Sequence, residues 1–152
     1  MKDYIPQDIL VVTILKLLLC ATFLIAMSAN VFACSCMEPN SLAQEFSESK
    51  AVFIGKAISK EEQVNHGRIV TLTSFEILRN FKAAEGEKIV VGSGPSGGGS
   101  CGYKFSLEEE YLIYAYGEED LHTNICTRTK HKDKASDDLL DLEAISMTVT
   151  RQ

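Results

Sequence analysis

Histidine is scarce in this sequence of 152 residues, and its three copies, His66, His122 and His131, are scattered along it. No two of them lie at the spacing of a pair of zinc ligands. No nucleophile with a neighbouring base is visible, and no pair of groups suggests acid–base chemistry. We therefore expect a protein that is not an enzyme and that has no metal or cofactor of its own.

Positive charge is also in deficit. Lys and Arg number 15 against 21 Asp and Glu, which gives a formal net charge of −6. An acidic domain is a poor partner for nucleic acid, heparin or an anionic membrane. The Gly-rich stretch at residues 92–100 lacks the Gly-Lys-Ser/Thr ending of a phosphate-binding loop. We therefore expect no nucleic-acid partner. We interpret residues 92–100 as a loop, because a stretch so rich in glycine does not suit a helix or a strand.

Residues 1–33 have the pattern of a secretory signal peptide. Lys16 precedes an apolar run at residues 17–33, and Val31 and Ala33 are small enough for cleavage after Ala33. Two alternatives remain open. The run could be an uncleaved membrane anchor, although 17 residues are few for that role. Residues 31–34 also loosely resemble a bacterial lipoprotein site, at which lipid would modify Cys34. We expect cleavage, secretion or export to the periplasm, no membrane contact afterwards, and one mature domain at residues 34–152.

The mature chain would keep four cysteines, Cys34, Cys36, Cys101 and Cys126. Four cysteines in a small exported domain predict two disulfides. Cys34 and Cys36 are too close in sequence to bond readily to each other, so each is expected to pair with a distant cysteine, which leaves two connectivities open. Chain ends normally fray, but here the terminal α-amine would be held in place. A neutral amine and the adjacent carbonyl oxygen can chelate a metal such as the zinc of a protease, which has an open position.

Hydrophobic alternation and turn residues predict a mostly β domain. Gly55 is expected at a bulge or tight bend, and residues 61–67 are expected to form a polar turn. The predicted strands are residues 51–58, 68–78, 88–91, 111–116 and 121–126, and the predicted helices are residues 41–48 and 136–146. Five strands with peripheral helices indicate an all-β fold, a small closed five-stranded barrel of the OB-fold type.

Several of these features together resemble the N-terminal, netrin-like domain of the tissue inhibitors of metalloproteinases. They are Cys34-Ser35-Cys36 at the mature terminus, Cys101-Gly102-Tyr103 after a loop, the strand that begins Tyr111-Leu112-Ile113, and Cys126. Residues 57–62 also resemble the family's first strand and its turn. The order and approximate spacing agree over most of residues 34–130. The resemblance implies an OB-fold barrel in a single-domain form, without the family's C-terminal domain and third disulfide.

The resemblance also implies roles for particular residues. It pairs Cys34 with Cys101 and Cys36 with Cys126. The amine and carbonyl of Cys34 would chelate the zinc of a target metalloprotease, and Ser35 would enter the primed-side specificity pocket. The remaining contacts with the protease would come from Met37, Glu38 and Pro39 along the substrate groove and from Gly99 and Ser100 on the unprimed side.

The implied function is a secreted inhibitor of zinc metalloendopeptidases that is a monomer when unbound. The alternative is a secreted netrin-type module that binds another protein and inhibits nothing, because one barrel can serve several functions. The amine of Cys34 distinguishes the two, since only the inhibitor needs it.

Overall fold

The chain divides into two compact units, Met1–Phe32 and Ala33–Gln152. The structure, a computed structural model, describes residues 7–26, 34–36, 40–65, 67–97 and 100–149. In the first unit, helix α1 spans Gln7–Ala26. None of the helices within these ranges combines the length and the apolarity needed to cross a membrane.

The second unit is mostly β-sheet. Its strands are β1 (Ala51–Asn65), β2 (Arg68–Lys82), β3 (Lys88–Ser93), β4 (Ser96–Gly97), β5 (Ser100–Cys101), β6 (Glu110–Ala115), β7 (His122–Thr123) and β8 (Lys130–His131). Six of them form one open sheet in the order β7-β3-β2-β1-β6-β8, while β4 and β5 pair separately. All neighbouring strands are antiparallel except β3 and β7. The prediction of a closed sheet of five strands therefore differs from the observed sheet, which has six strands and is open.

Two predicted boundaries are wrong for identifiable reasons. The expected polar turn at residues 61–67 is largely strand, because β1 continues to Asn65 and pairs in register with β2 as far as Arg68. The expected strand at residues 121–126 shortens to His122–Thr123, because the side chain of Asn124 accepts a hydrogen bond from the Cys126 N–H at 2.8 Å and turns the chain.

The two predicted helices of this unit are confirmed. Helix α2 spans Leu42–Glu48, and the Ser41 hydroxyl caps it by accepting a hydrogen bond from the Gln44 N–H at 3.3 Å. Helix α3 spans Ser136–Val149 and follows a short 3₁₀ turn at Lys132–Lys134.

The central part of the sheet carries an apolar cluster on each face, because successive side chains along a strand point to opposite faces. One face carries an aromatic cluster in which Phe53, Phe75 and Phe105 are each at most 1% exposed. On the other face, α2 and α3 pack against Val52, Ile54, Leu112 and Tyr114, with contributions that include Phe46 and Leu142. The register shifts at Gly55, as predicted, and a Cβ there would lie 2.8 Å from the Phe53 ring.

Strand β7 has contacts on both sides. Leu121 accepts a backbone hydrogen bond from the Gly92 N–H of β3 at 2.8 Å. Tyr116, which directly follows β6, forms an isolated bridge with His122 through two backbone hydrogen bonds of 2.9 and 2.8 Å. The chain between Tyr116 and His122 turns at Gly117, whose φ of +104° is in the region that favours glycine.

Candidate functional site

Two disulfides connect residues 34–36 to the strands and turns of the second unit. Cys34 is bonded to Cys101 in β5, and Cys36 is bonded to Cys126 in the turn after β7, with Cα–Cα distances of 5.7 and 5.2 Å. This is the pairing that the family resemblance implies. Ser35 lies between the two bonds, and its side chain is exposed. A segment of three residues therefore has a covalent anchor at each end.

The two anchor points are themselves connected. The Ile125 N–H donates a hydrogen bond to the Cys101 carbonyl at 2.9 Å. The Cys126 N–H donates to the Asn124 side chain at 2.8 Å. Because β5 is bonded to the turn that carries Cys126, both disulfides end on one hydrogen-bonded platform.

Close backbone packing fixes the Cys101 side of this platform. A Cβ on the buried Gly102 would lie 1.8 Å from the Gly94 carbonyl oxygen, so only glycine fits. The next residue, Tyr103, donates its N–H to the Ser93 hydroxyl at 2.6 Å, and that hydroxyl donates to the Tyr103 carbonyl at 3.0 Å. Burial and the neighbouring Tyr111 raise the pKa of the Tyr103 hydroxyl.

The Gly-rich stretch at residues 92–100 is not wholly irregular, which corrects the prediction for it. Its first two residues end β3, and Ser96–Gly97 pairs with Ser100–Cys101 as a short antiparallel ribbon. Ser100 directly precedes Cys101, the cysteine that is bonded to Cys34.

A row of threonine hydroxyls fixes the Cys126 side. Thr123 and Thr127 are 2.9 Å apart through their hydroxyl oxygens, and Thr123 and Thr129 are 2.8 Å apart. The Thr129 hydroxyl also accepts a hydrogen bond from the Tyr114 N–H of β6 at 3.0 Å. The turn that carries Cys126 is therefore bonded to a central strand.

Arg128 joins this turn to the two helices. Its N–H donates to the Glu45 carboxylate of α2 at 3.0 Å, and its guanidinium donates to the Asn40 carbonyl at 3.2 Å. The same guanidinium forms an ion pair of 2.8 Å with Asp138 of α3, which also pairs with Lys130 at 2.9 Å. Burial raises the pKa of the Asp138 carboxyl, but hydrogen bonds and charges from Arg128 and Lys130 outweigh it and leave the pKa lowered.

The structure brings Cys34, Ser35 and Cys36 together with Cys101 and Ser100. Met37, Glu38, Pro39 and Gly99 lie outside the described residues. Asn124 and Arg128 were not predicted as site residues from the sequence. Asn two residues before Cys126 is a recognisable turn signal, whereas nothing local to Arg128 indicates its partners.

This arrangement can present main-chain atoms rigidly. A cavity of about 300 Å³ adjoins Cys101 and is lined in part by Gly94, Gly102 and His122. Within the described residues, no group of three or more His, Cys, Asp or Glu side chains is placed to hold a metal ion. In the anchored segment, Cys34 is partly buried, and Ser35 and Cys36 are exposed.

No protein-family model matches the chain, and no curated protein matches it significantly.

Proposed function

We propose that this protein is a secreted inhibitor of zinc metalloendopeptidases that binds the catalytic zinc of its target through residue 34. The observation that carries the proposal is the double anchoring of residues 34–36, with Cys34 and Cys36 each bonded to one rigid platform. A disulfide framework with a loose terminus would stabilise the fold equally well. Rigidity at the chain end itself favours a role in binding, since preorganised groups lose less entropy on association.

The chemistry follows from the chain end that cleavage creates. Cutting between Ala33 and Cys34 leaves an α-amine next to the Cys34 carbonyl, and the two atoms form a five-membered chelate with a metal. An α-amine has a pKa of about 8, so a useful fraction is neutral near pH 7. A protease zinc has three protein ligands and a position usually held by water. The chelate would displace that water and block the attack on a substrate.

The neighbouring residues supply the remaining contacts with the protease. Ser35 is exposed between the two disulfides and is suited to the primed-side pocket. Ser100, next to Cys101, together with Gly99 would contact the unprimed side. Met37, Glu38 and Pro39 would continue along the substrate groove.

We also propose that the strands form an OB-type barrel of five strands, β1, β2, β3, β6 and β7. Support comes from β7, which is bonded to β3 at Gly92 and bridged to Tyr116 at the end of β6. In this arrangement β7 closes the gap between the two sides of the sheet. The platform for the disulfides then lies where the barrel closes.

Secretion is part of the same proposal. Two disulfides favour an oxidising compartment, and the pattern of residues 1–33 supplies the export signal. We propose a zinc metalloprotease as the partner, with the protein itself a monomer when unbound. The metal contacted in the complex would be the catalytic zinc of the protease.

The test is to add one alanine before Cys34 in the exported protein. The extra residue converts the amine into an amide nitrogen, which is a poor zinc ligand, and adds bulk at the metal. Inhibition constants against a panel of zinc metalloproteases should rise at least about 100-fold. For the unmodified protein, inhibition should weaken about tenfold per pH unit below pH 7, because protonation of the amine removes its lone pair.

An alanine added after Gln152 is the matched control and should leave inhibition unchanged. Both variants should keep the parent melting temperature, since neither touches a disulfide or the core. Equal inhibition by the parent and the N-terminally extended form would refute chelation. If the parent, with its terminus at Cys34 verified by mass spectrometry, inhibits no protease in a broad panel, the netrin-type module is the better hypothesis.

A further inference from the structure

Strand β3 has a partner along only part of one side. It pairs with β2 over all six of its residues, Lys88–Ser93. On its other side, β7 pairs only with Gly92 and Ser93. Within the part of the chain that the structure describes, residues 88–91 therefore have an open edge.

The direction of the backbone groups on this edge can be assigned. The Gly92 N–H bonds to Leu121 on the β7 side, whereas the Glu87 carbonyl bonds to Ile77 of β2. Backbone groups alternate in direction along a strand. The N–H and C=O of Val90 and Lys88 therefore point to the open side, as Gly92 does. They form a short row of donors and acceptors that another strand could pair with.

A cleft lies along this edge. Its volume is about 570 Å³, and its lining includes Val70 and Leu72 of β2, Val90 of β3 and residues 119–122. Val90 is 50% exposed although it is a large apolar residue. Natural proteins usually cover or charge an open apolar edge. The cleft thus offers apolar contacts beside the unpaired backbone groups.

Residues 119 and 120 bring negative charge to the lining of the cleft. Glu119 and Asp120 are exposed, and no ion pair involves either of them in the described residues, whereas the adjacent Glu118 pairs with Lys50 at 2.7 Å. A Cβ on Gly117 would lie 2.3 Å from the Asp120 carbonyl oxygen, so the turn is tightly packed. Lys88 of β3 also lines the cleft and adds one positive charge, so one cation stands against two carboxylates in the lining. Because the two carboxylates lie together on one tightly packed turn, that end of the cleft favours a cationic group of the occupant.

We propose that the edge of β3 at residues 88–91 binds an extended, basic peptide segment of a partner protein by strand addition. The segment pairs with the backbone of Val90 and Lys88, as in other cases of β-strand addition. Its apolar side chains contact Val70 and Leu72, and its lysines or arginines lie near Glu119 and Asp120. This surface is separate from the Cys34 amine and does not depend on zinc chelation.

The probe is an eight-residue acetylated peptide amide of alternating valine and lysine, titrated into the purified protein and followed by NMR hydrogen exchange. At saturation, exchange of the Val90 amide should slow at least about tenfold, because that N–H gains a partner. The Val91 amide already bonds to β2 and serves as the internal reference. The same peptide with N-methylated alternate residues, in either register, should lose binding, since its edge-facing donors are gone.

Charge is tested with a double variant, Glu119→Lys with Asp120→Lys, which should weaken peptide binding about tenfold. The control, Asp137→Lys with Asp141→Lys, makes the same change of net charge on the exposed part of α3 and should have little effect. The Ala-extended protein should bind the peptide normally, which separates this proposal from the inhibitor hypothesis. Unchanged exchange of Val90 at saturation, no binding of the peptide at millimolar concentration, or equal binding of the N-methylated peptides would overturn it.

Discussion

The two disulfides share one small ring. Cys34–Cys101 and Cys36–Cys126 have sequence separations of 67 and 90 residues. When either bond is in place, the other closes a ring through residues 34–36 and residues 101–126, which is about 29 residues long. The perturbation is to remove one bond at a time, with Cys34→Ser plus Cys101→Ser in one variant and Cys36→Ser plus Cys126→Ser in the other.

The length of the shared ring determines how much unfolding free energy is lost when either disulfide is removed. In the entropic treatment, a ring of about 29 residues restricts the unfolded chain by about 3.6 kcal/mol at 25 °C. Each double variant should therefore lose about the same free energy of unfolding, within about 0.5 kcal/mol, despite the unequal sequence separations. For a domain of about 120 residues this corresponds to a fall of about 14 °C in Tm. Removing the second bond then opens a longer loop and should cost more, about 4.5 kcal/mol.

The assay is urea unfolding in the absence of reductant, monitored by circular dichroism. Both double variants should show a lower midpoint and a somewhat larger m-value, because the unfolded chain is less restricted. Losses that differ by more than about 1.5 kcal/mol between the variants would refute the shared ring. Partial reduction with alkylation and mass spectrometry checks the pairing itself, and a link between Cys34 and Cys126 would contradict the structure.

Two further predictions concern the platform beneath the site. Asp138→Asn should cost about 1–3 kcal/mol of unfolding free energy, because it leaves the half-buried Arg128 guanidinium without its counter-charge. The exposed Asp137→Asn should cost under about 0.5 kcal/mol. The pKa of the Asp138 carboxyl is lowered in the folded protein from its usual 3.8. Its contribution to stability is therefore present above pH 3.8 and is lost as the pH falls through the folded pKa. Stability measured against pH in the acid range, for both variants, would detect this loss. Gly102→Ala should lower the free energy of unfolding by more than about 2 kcal/mol, because the new Cβ would lie 1.8 Å from a carbonyl oxygen. The control is Gly67→Ala, at φ +75° in open space, which should cost only about 1 kcal/mol. Equal losses of the two variants in thermal or urea melts would contradict the packing argument.

Local patterns predicted those elements whose cause is local. The helix predicted at residues 41–48 agrees with α2, whose start is capped locally by Ser41, and the alternation of the central strands predicted their position. The predicted turn at residues 61–67 is wrong because polar residues can also form a strand when their backbone pairs with a neighbour. In the structure, pairs such as Glu62 with Thr71 extend the hairpin beyond its apolar part. Strand β8 was not predicted, since its two residues are strand only through their pairing with Tyr111 and Leu112.

In the candidate site too, some features could be predicted from local sequence and others could not. The cysteines were identifiable because few covalent pairings are open to four of them, and the resemblance narrowed these to one. The contacts that make the platform rigid have no such signature. Arg128 and Glu45 are 83 residues apart, and neither stands out from the other charged residues of the sequence. The proposed zinc ligands are main-chain atoms, which every residue possesses, so Cys34 was identified only through its expected disulfide and its place after the predicted cleavage site. Only their restraint is unusual, and that restraint depends on distant contacts which exist once the chain has folded.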